Sequence, residues 1–302
     1  MELVKDFKLD FIGIGAAKSA TSWIFECLKE HPQICASSKK EVHFFDTPYN
    51  YRKGLDYYYS FFKHCEVGKI KGEFSPGYLY RNKSAERIYN AFPGVRLIVC
   101  LRNPIERAYS HYKFSQQRGG SMSIYPSFSE AINRDAVLLG KGFYFEQLKR
   151  YFDLFPEKNI FVGLYDDLEK DPLKFIQRVY VFLGVDSSFV PSLANKRKGS
   201  TGSVERKAKL PFLNYFLQKT GYWARNNETF LYSLLDRVGI RKLRLKLLKV
   251  NQEKFFKEKC NNISSNSMEP KDRKKLWSIY KQDIGRLEQL LNKDLSAWKY
   301  YG

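Results

Sequence analysis

The sequence predicts a three-layer α/β fold in which a mainly parallel central sheet is flanked by helices. Short apolar runs alternate with helix-type segments between residues 11 and 184, the order that βαβ units produce. The clearest run, residues 95–101, is apolar on both faces, as parallel strands covered by helices are. With 302 residues, the chain is expected to form one such domain over 1–302.

Each predicted element has its own local signal. The expected strands are short apolar runs at residues 11–15, 70–74, 95–101 and 159–164. Helices are expected after the turn at 15–22, from Pro104, from 172 to 184 and from 268 to 298. Proline suits the first turn of a helix. In the 172–184 helix, the apolar face consists of Phe175, Val179, Phe182 and Leu183.

Between residues 195 and 266 the chain becomes basic, with interspersed aromatic residues and leucines and no strand signal. We expect residues 205–265 to form a helical elaboration of the same domain. From Arg237 to Lys249 the chain has six cationic residues and no acidic one. Two interpretations stay open: a solvated helix that covers the core, or a surface for peripheral contact with an anionic membrane or polymer.

The composition favours a folded protein with an anionic partner. Hydrophobic residues make up 43% of the chain, with 24 Phe and 21 Tyr, which is enough for a packed core and excludes global disorder. The 52 Lys and Arg outnumber the 32 Asp and Glu, for a formal charge of +20. This charge is compatible with a nucleic acid, an anionic membrane or a phosphorylated or sulfated small molecule.

Cysteine usage and the N-terminus predict a location in the cell. The five cysteines are odd in number, widely spaced and form no CxxC pair, so neither a disulfide framework nor a zinc site is expected. Residues 1–10 are charged, and no apolar stretch reaches the ~18–20 residues that a spanning helix needs. These features predict a soluble, cytoplasmic protein in a reducing compartment.

The turn at residues 15–22 has the features of an anion-binding loop. A strand that leads into a helix through small residues presents backbone N–H groups and the positive helix end to an anion. Lys18 adds a charge, and hydroxyls come from Ser19, Thr21 and Ser22. Ile12 and Ala17 stand where a Walker A loop has glycines, which disfavours a nucleotide kinase or ATPase. Alone, the segment could also be an ordinary turn with a solvated lysine.

Two further segments could bind phosphate. Arg102 directly follows the buried strand at 95–101, and Ser110 lies eight residues further on. Ligands bind open α/β sheets at the carboxyl ends of the strands, and the planar guanidinium of arginine matches a phosphate monoester. The third segment is a basic glycine loop that contains Arg197, Lys198 and Gly199.

A candidate base lies after the first helix. If the chain is extended there, Glu41 and His43 point the same way, and a carboxylate beside aromatic residues is expected to have a raised pKa. Such a group suits a general base. The alternative is a surface Glu-x-His in which Phe44 and Phe45 fill the core.

Together, the three phosphate segments resemble PAPS-dependent sulfotransferases, where PAPS is 3′-phosphoadenosine 5′-phosphosulfate. Residues 18–21 resemble the 5′-phosphosulfate loop of that family, Arg102 and Ser110 its 3′-phosphate motif, and residues 197–202 its R-K-G-x-x-G loop. The resemblance implies a P-loop NTPase-like fold, PAPS as donor, its bisphosphate PAP as product and no obligate metal. The implied cofactor-binding residues are Lys18, Ser19, Ala20, Thr21, Ser22, Arg102, Ser110, Arg197, Lys198 and Gly199.

Residues 41–46 resemble the E-V-H-F-F-D element of heparan-type glucosaminyl sulfotransferases, in which the glutamate is the base. The resemblance implies Glu41 as base, His43 as its helper and Lys18 as the group that neutralises charge on the leaving phosphate. It also implies an acceptor hydroxyl or amine on a saccharide or glycoconjugate, and no nucleic-acid partner.

The chain departs from the family pattern at two positions. Ala20 stands where family loops usually have glycine, and Phe74 stands where the E-K-T-P segment of the glycan enzymes has its lysine. The second departure keeps a small-molecule or lipid hydroxyl open as the acceptor. Glu73 and Ser75 in this segment are candidate acceptor-binding residues, although Glu73 could instead orient the site or be a buried structural carboxylate.

A non-catalytic binder is the competing class. A protein that uses its +20 charge to bind an anionic polymer or membrane would show a steep salt dependence. That binding would survive Lys18→Ala and Glu41→Ala.

Overall fold

The computed structural model describes residues 7–117, 120–194 and 268–299, with short pieces at 206–208 and 252–254 and the single positions 213, 216, 217, 220, 243 and 247. Contacts divide the chain into two units. The first contains Met1–Asn103 and Tyr144–Lys198, and the second contains Pro104–Phe143 and Gly199–Gly302.

The first unit contains a five-stranded, entirely parallel sheet. Its strands lie in the order β2-β3-β1-β4-β5. They are β1 (Phe11–Gly15), β2 (Ile34–Ala36), β3 (Ile70–Phe74), β4 (Arg96–Leu101) and β5 (Ile160–Leu164). Every residue of β1 is buried, and in β4 all but the first are. Burial on both faces confirms the predicted helix-flanked parallel sheet.

Helices surround this sheet within the first unit. They are α1 (Thr21–Glu30), α2 (Pro48–Tyr51), α3 (Gly54–Tyr59), α4 (Gly77–Tyr80), α5 (Asn82–Ala91), α9 (Tyr144–Phe152), α10 (Tyr165–Lys170) and α11 (Pro172–Leu183). Short 3₁₀ turns occur at Ser60–Phe62 and Glu157–Asn159. Helices α1 and α11 share one buried cluster with the strands, which includes Ile24, Ile98 and Val179.

Helix α11 shows how local sequence sets an element. The Asp171 side chain accepts a hydrogen bond from the Lys174 N–H at the helix start, and Pro172 occupies the first turn. At the other end Gly184 adopts the left-handed conformation with φ 69°, which glycine reaches without steric cost. Three of the four predicted apolar-face residues (Phe175, Val179 and Leu183) are fully buried.

The second unit contains helices and short 3₁₀ turns among its described residues. The helices are α6 (Pro104–Gln117), α7 (Phe128–Arg134), α8 (Ala136–Gly140) and α12 (Pro270–Leu291), with 3₁₀ turns at Ser121–Ile124 and Ser296–Trp298. Helix α12 buries Leu276, Tyr280, Ile284 and Leu287. Its Tyr280 hydroxyl donates to the Leu139 carbonyl at 2.8 Å, which holds α12 against α8.

A short strand pair in the second unit corrects the expectation of no strand between 195 and 266. Strands β6 (Arg206–Ala208) and β7 (Gln252–Lys254) pair antiparallel. Each is three residues long and mostly polar, so neither produces the alternation that predicts a strand. The greater part of the stretch from Arg237 to Lys249 lies outside the described residues.

A disulfide between Cys35 and Cys65 corrects the expectation that the cysteines form no disulfide. Cys35 lies in β2, and Cys65 follows the turn after α3, 30 residues further along the chain. Their proximity comes from the tertiary fold, which cysteine spacing alone does not reveal. Stable disulfides are rare in the cytosol, so the argument from cysteine usage to a reducing compartment fails. His64 lies beside the pair, with Nε2 3.5 Å from Cys35 Sγ.

Among the described residues, no helix combines the length and the apolar character needed to cross a membrane.

Candidate active site

The loop between β1 and α1 lies at the carboxyl edge of the sheet and has an unusual backbone. Lys18 and Ala20 have φ of 73° and 58°. Ala20 is the N-cap residue of α1, and it makes no side-chain hydrogen bond that would cap the helix. The first-turn N–H groups of a helix lack intrahelical partners, so an uncapped start favours an anion. The left-handed conformation at Ala20 costs on the order of 1 kcal/mol, which glycine would avoid.

Ser19 provides the clearest sign of a ligand in this loop. Its side chain is 0% exposed. Within the described part of the chain, its hydroxyl has no hydrogen-bond partner. Burying an unsatisfied hydroxyl costs about 1–3 kcal/mol. A phosphate or sulfate oxygen bound in the loop would satisfy it.

Arg102 meets the loop from the end of β4. Its Nη1 donates to the Lys18 carbonyl at 3.4 Å, and its guanidinium lies over the Tyr165 ring at 4.4 Å. The Tyr144 hydroxyl donates to the Arg102 carbonyl at 3.0 Å. The structure thus brings Lys18 and Arg102 together, although they are far apart in sequence. Ser110 lies on α6 in the second unit, and Arg197, Lys198 and Gly199 lie outside the described residues.

Residues 41–46, called the base loop below, carry a chain of charged side chains. Lys40 Nζ contacts Glu41 Oε1 at 3.0 Å, and Glu41 Oε2 lies 3.1 Å from His43 Nε2. The other imidazole nitrogen, Nδ1, lies 2.9 Å from Asp46 Oδ2. Sequence reasoning did not assign a role to Asp46, although its spacing of three from His43 was visible.

The sequence predicts that Glu41 and His43 point the same way if this segment is extended, but the base loop is not extended. Glu41 and His43 have φ of 61° and 53°, in the left-handed region. Their side chains meet because of this turn in the backbone. Phe44 and Phe45 are buried and pack against Tyr58 at 4.9 and 5.2 Å between ring centroids, so both face the core.

The charged side chains next to Glu41 reverse the expected direction of its pKa shift. Burial raises the pKa of Glu41, but the hydrogen bond and charge of His43, with the Lys40 ammonium, lower it to about 2. Burial lowers the pKa of His43, but hydrogen bonds and charges from Asp46 and Glu41 raise it to about 10. At neutral pH, therefore, an ionised Glu41 lies beside an imidazolium, and the expectation of a raised pKa was wrong.

This pairing predicts a pH dependence of stability. A histidine with a raised pKa in the folded state contributes stability that is complete below its ordinary value of 6.5 and lost as pH rises through about 10. We expect the free energy of unfolding of the wild type, measured by urea denaturation, to fall across this pH range. The free energy of unfolding of the His43→Gln variant should fall less. His64→Gln, at an exposed histidine, is the control. Equal losses in wild type and His43→Gln would contradict the pairing.

Glu73 and Ser75 do not face solvent as acceptor-binding residues would. Both are 0% exposed. The Glu73 carboxylate accepts hydrogen bonds from Ser75 at 2.7 Å and from Tyr78 at 2.5 Å. Phe74, at the position of the family's lysine, is also fully buried, and its ring occupies the space that a Cβ at Gly13 would need. The structure therefore favours the alternative of an orienting or structural Glu73.

The comparisons with known proteins identify the family. A family model described as "Sulfotransferase domain" matches residues 8–287. The chain therefore belongs to the sulfotransferase domain family, which confirms the resemblance read from the three motifs.

Individual relatives agree with this assignment. The chain is 34% identical to the membrane-associated sulfotransferase kil1 of Dictyostelium discoideum over 52% of this chain and 35% of that protein. It is 29% identical to heparan sulfate glucosamine 3-O-sulfotransferase 5 of Mus musculus over 57% and 52%. The chain thus spans about half or less of the length of these relatives.

A solved structure shares the fold. A sulfotransferase from Alicyclobacillus acidocaldarius superposes with a TM-score of 0.67 at 24% identity, covering 97% of this chain and 99% of that one. This agreement over nearly the whole chain confirms the fold class predicted from sequence.

Proposed function

We propose that this chain transfers the sulfuryl group of PAPS to an acceptor hydroxyl or amine. One observation carries the proposal: in the loop that leads into α1, the buried hydroxyl of Ser19 has no hydrogen-bond partner among the described residues. A protein in the sulfotransferase domain family has a use for such a site as the cradle of its sulfate donor.

The residues present fit the two charged ends of PAPS. Lys18, Ser19, Thr21 and Ser22, with the N–H groups that begin α1, would hold the phosphosulfate. Arg102 would hold the 3′-phosphate through its planar guanidinium. When bound, PAPS supplies an activated sulfuryl group, and PAP is the product.

In this proposal Glu41 accepts the proton of the attacking hydroxyl or amine. Its pKa of about 2 keeps the carboxylate ionised, and its side chain is 41% exposed and thus accessible. A weak base suffices because the attacking oxygen becomes strongly acidic as its bond to sulfur forms. His43, itself held by Asp46, holds the Glu41 carboxylate in position.

A saccharide or glycoconjugate is the acceptor class that we propose. The support is the base loop, which matches the element of the heparan-type enzymes, and the relatives named as heparan sulfate glucosamine 3-O-sulfotransferases. The buried Phe74 in place of the family's lysine favours the second candidate, a small-molecule or lipid hydroxyl. Screening PAPS with sugar, phenol and lipid acceptors distinguishes the two.

The nucleotide site has a direct binding test. We expect the protein to be retained on immobilised PAP and released by free PAP but not by ATP. Arg102→Ala should weaken PAP binding about 10- to 150-fold, the loss for a hydrogen bond to a charged group. Arg178→Ala, at an arginine of α11 paired with Asp167, is the matched control. Release by ATP, or wild-type affinity in Arg102→Ala, would contradict the proposal.

A further inference from the structure

We propose that Glu73 is a positioning residue that holds the backbone of the base loop through the hydroxyls of Ser75 and Tyr78. This inference rests on the proposed function, because it assumes that Glu41 in that loop is the base. It assigns to a fully buried carboxylate a role in catalysis without contact with the acceptor.

The first connection runs through Ser75. The Ser75 hydroxyl donates to Glu73 Oε2 at 2.7 Å and accepts the N–H of His43 at 3.1 Å. Since the N–H of Ser75 donates to the Gly13 carbonyl at 2.9 Å, this anchor is fixed to the end of β1. The base loop is therefore tied to β1, the strand that leads into the loop at residues 15–22, called the phosphate loop below.

The second connection runs through Tyr78. The Tyr78 hydroxyl donates to Glu73 Oε1 at 2.5 Å and accepts the N–H of Phe44 at 3.0 Å. Two successive amides of the base loop are thus bound to hydroxyls that share one carboxylate. On the opposite side of the backbone, Asn50 Nδ2 donates to the His43 carbonyl at 2.8 Å.

The ionised form of Glu73 suits both connections because a carboxylate only accepts hydrogen bonds. Each hydroxyl has a single proton, and donating it to Glu73 leaves only oxygen lone pairs for the loop amide. A glutamine at position 73 would offer one accepting oxygen and one donating NH₂ group. One of the two hydroxyls would then face a donor on both sides, its own proton would lose its acceptor, and its hold on the loop amide would weaken.

The base loop needs such anchors because its backbone is strained. Glu41 and His43 both adopt the left-handed conformation, at a cost on the order of 1 kcal/mol each. Surrounding contacts must maintain this conformation. If the anchors are lost, the loop relaxes and the Glu41 carboxylate moves from the attacking group.

The surroundings of Glu73 are consistent with a functional rather than a stabilising role. Burial raises the pKa of Glu73 to about 7, against the hydrogen bonds from Tyr78 and Ser75 and the charge of His43, and Asp46 raises it further. Tyr58 also faces the carboxylate, with its hydroxyl 3.4 Å from Oε1. Ionising a buried carboxyl is costly to the fold, so a residue that does not ionise would serve better if stability were the only requirement.

The test compares Glu73→Gln and Tyr78→Phe with two matched controls. Tyr58→Phe removes a hydroxyl that reaches the same carboxylate, but no contact between that hydroxyl and the base loop is observed. Asp272→Asn makes the same carboxylate-to-amide change at another buried acceptor, which binds the Ser129 hydroxyl. The readouts are kcat, KM for each substrate, affinity for PAP, and hydrogen–deuterium exchange of the peptide that covers the base loop.

We expect both test variants to lose about 100-fold in kcat, the effect of a misplacement of roughly 1 Å, while PAP affinity stays at the wild-type value. Exchange at the base loop should become faster in them and stay unchanged in both controls. Wild-type kcat in Glu73→Gln, or unchanged exchange, would overturn the inference. If wild type neither binds PAP nor transfers sulfate, the proposed function fails, and the exchange data still decide whether Glu73 holds the loop.

Discussion

Glu41→Gln is expected to lower kcat by about 10²–10⁴, the usual contribution of general base catalysis. Glutamine keeps the size of the side chain and can still hydrogen-bond His43, but it cannot accept the proton of the attacking group. Because Glu41 belongs to the base loop and not to the phosphate loop, the affinity for PAP should stay unchanged. Steady-state kinetics and calorimetric titration with PAP measure the two quantities.

The control for this prediction is Glu86→Gln, at an exposed carboxylate on α5. It should retain wild-type turnover. Comparable turnover in Glu41→Gln and wild type would remove Glu41 from the mechanism. A parallel loss of PAP affinity would indicate instead that the substitution disturbs the fold of the site, and a melting temperature would show this independently.

The parts of the fold that sequence predicted are those with local signals. Strand β4 was visible because residues on both of its faces are apolar, and α11 because Asp171, Pro172 and Gly184 mark its ends. Strand β2 has three residues, too few for a period. The Cys35–Cys65 disulfide depends on where distant segments lie, and no local signal encodes that.

In the site, sequence predicted residues better than their electrostatics. The family motifs pointed to Lys18, Glu41 and Arg102, and the structure brings Lys18 and Arg102 together. The direction of the Glu41 pKa shift was missed because it depends on which charges the turned backbone places beside the carboxylate. For Glu73, position in the chain could not distinguish a side chain facing the acceptor from one buried behind the base loop.

Lys18→Met is expected to lower kcat by about 10²–10³, the loss seen when a group that stabilises developing charge is removed. Methionine keeps the Cβ of lysine and an unbranched side chain that is one atom shorter, so it removes the charge while leaving the requirement for a left-handed backbone unchanged. The effect on kcat should exceed that on PAP affinity, because the charge on the leaving phosphate grows as the bond to sulfur breaks. Lys29→Met, at an exposed lysine near the end of the same helix, is the control.

This variant also discriminates between the enzyme and a non-catalytic anion binder. A protein that binds anions through its formal charge of +20 would respond alike to Lys18→Met and Lys29→Met. In each variant, the slope of the logarithm of the binding constant against the logarithm of the salt concentration would fall by about the contribution of one charge contact. An enzyme would lose turnover in Lys18→Met alone, with the salt dependence of PAP binding little changed in Lys29→Met. The two classes therefore differ in whether the lysine of the loop before α1 matters more than the lysine at the far end of α1, a difference that net charge cannot produce.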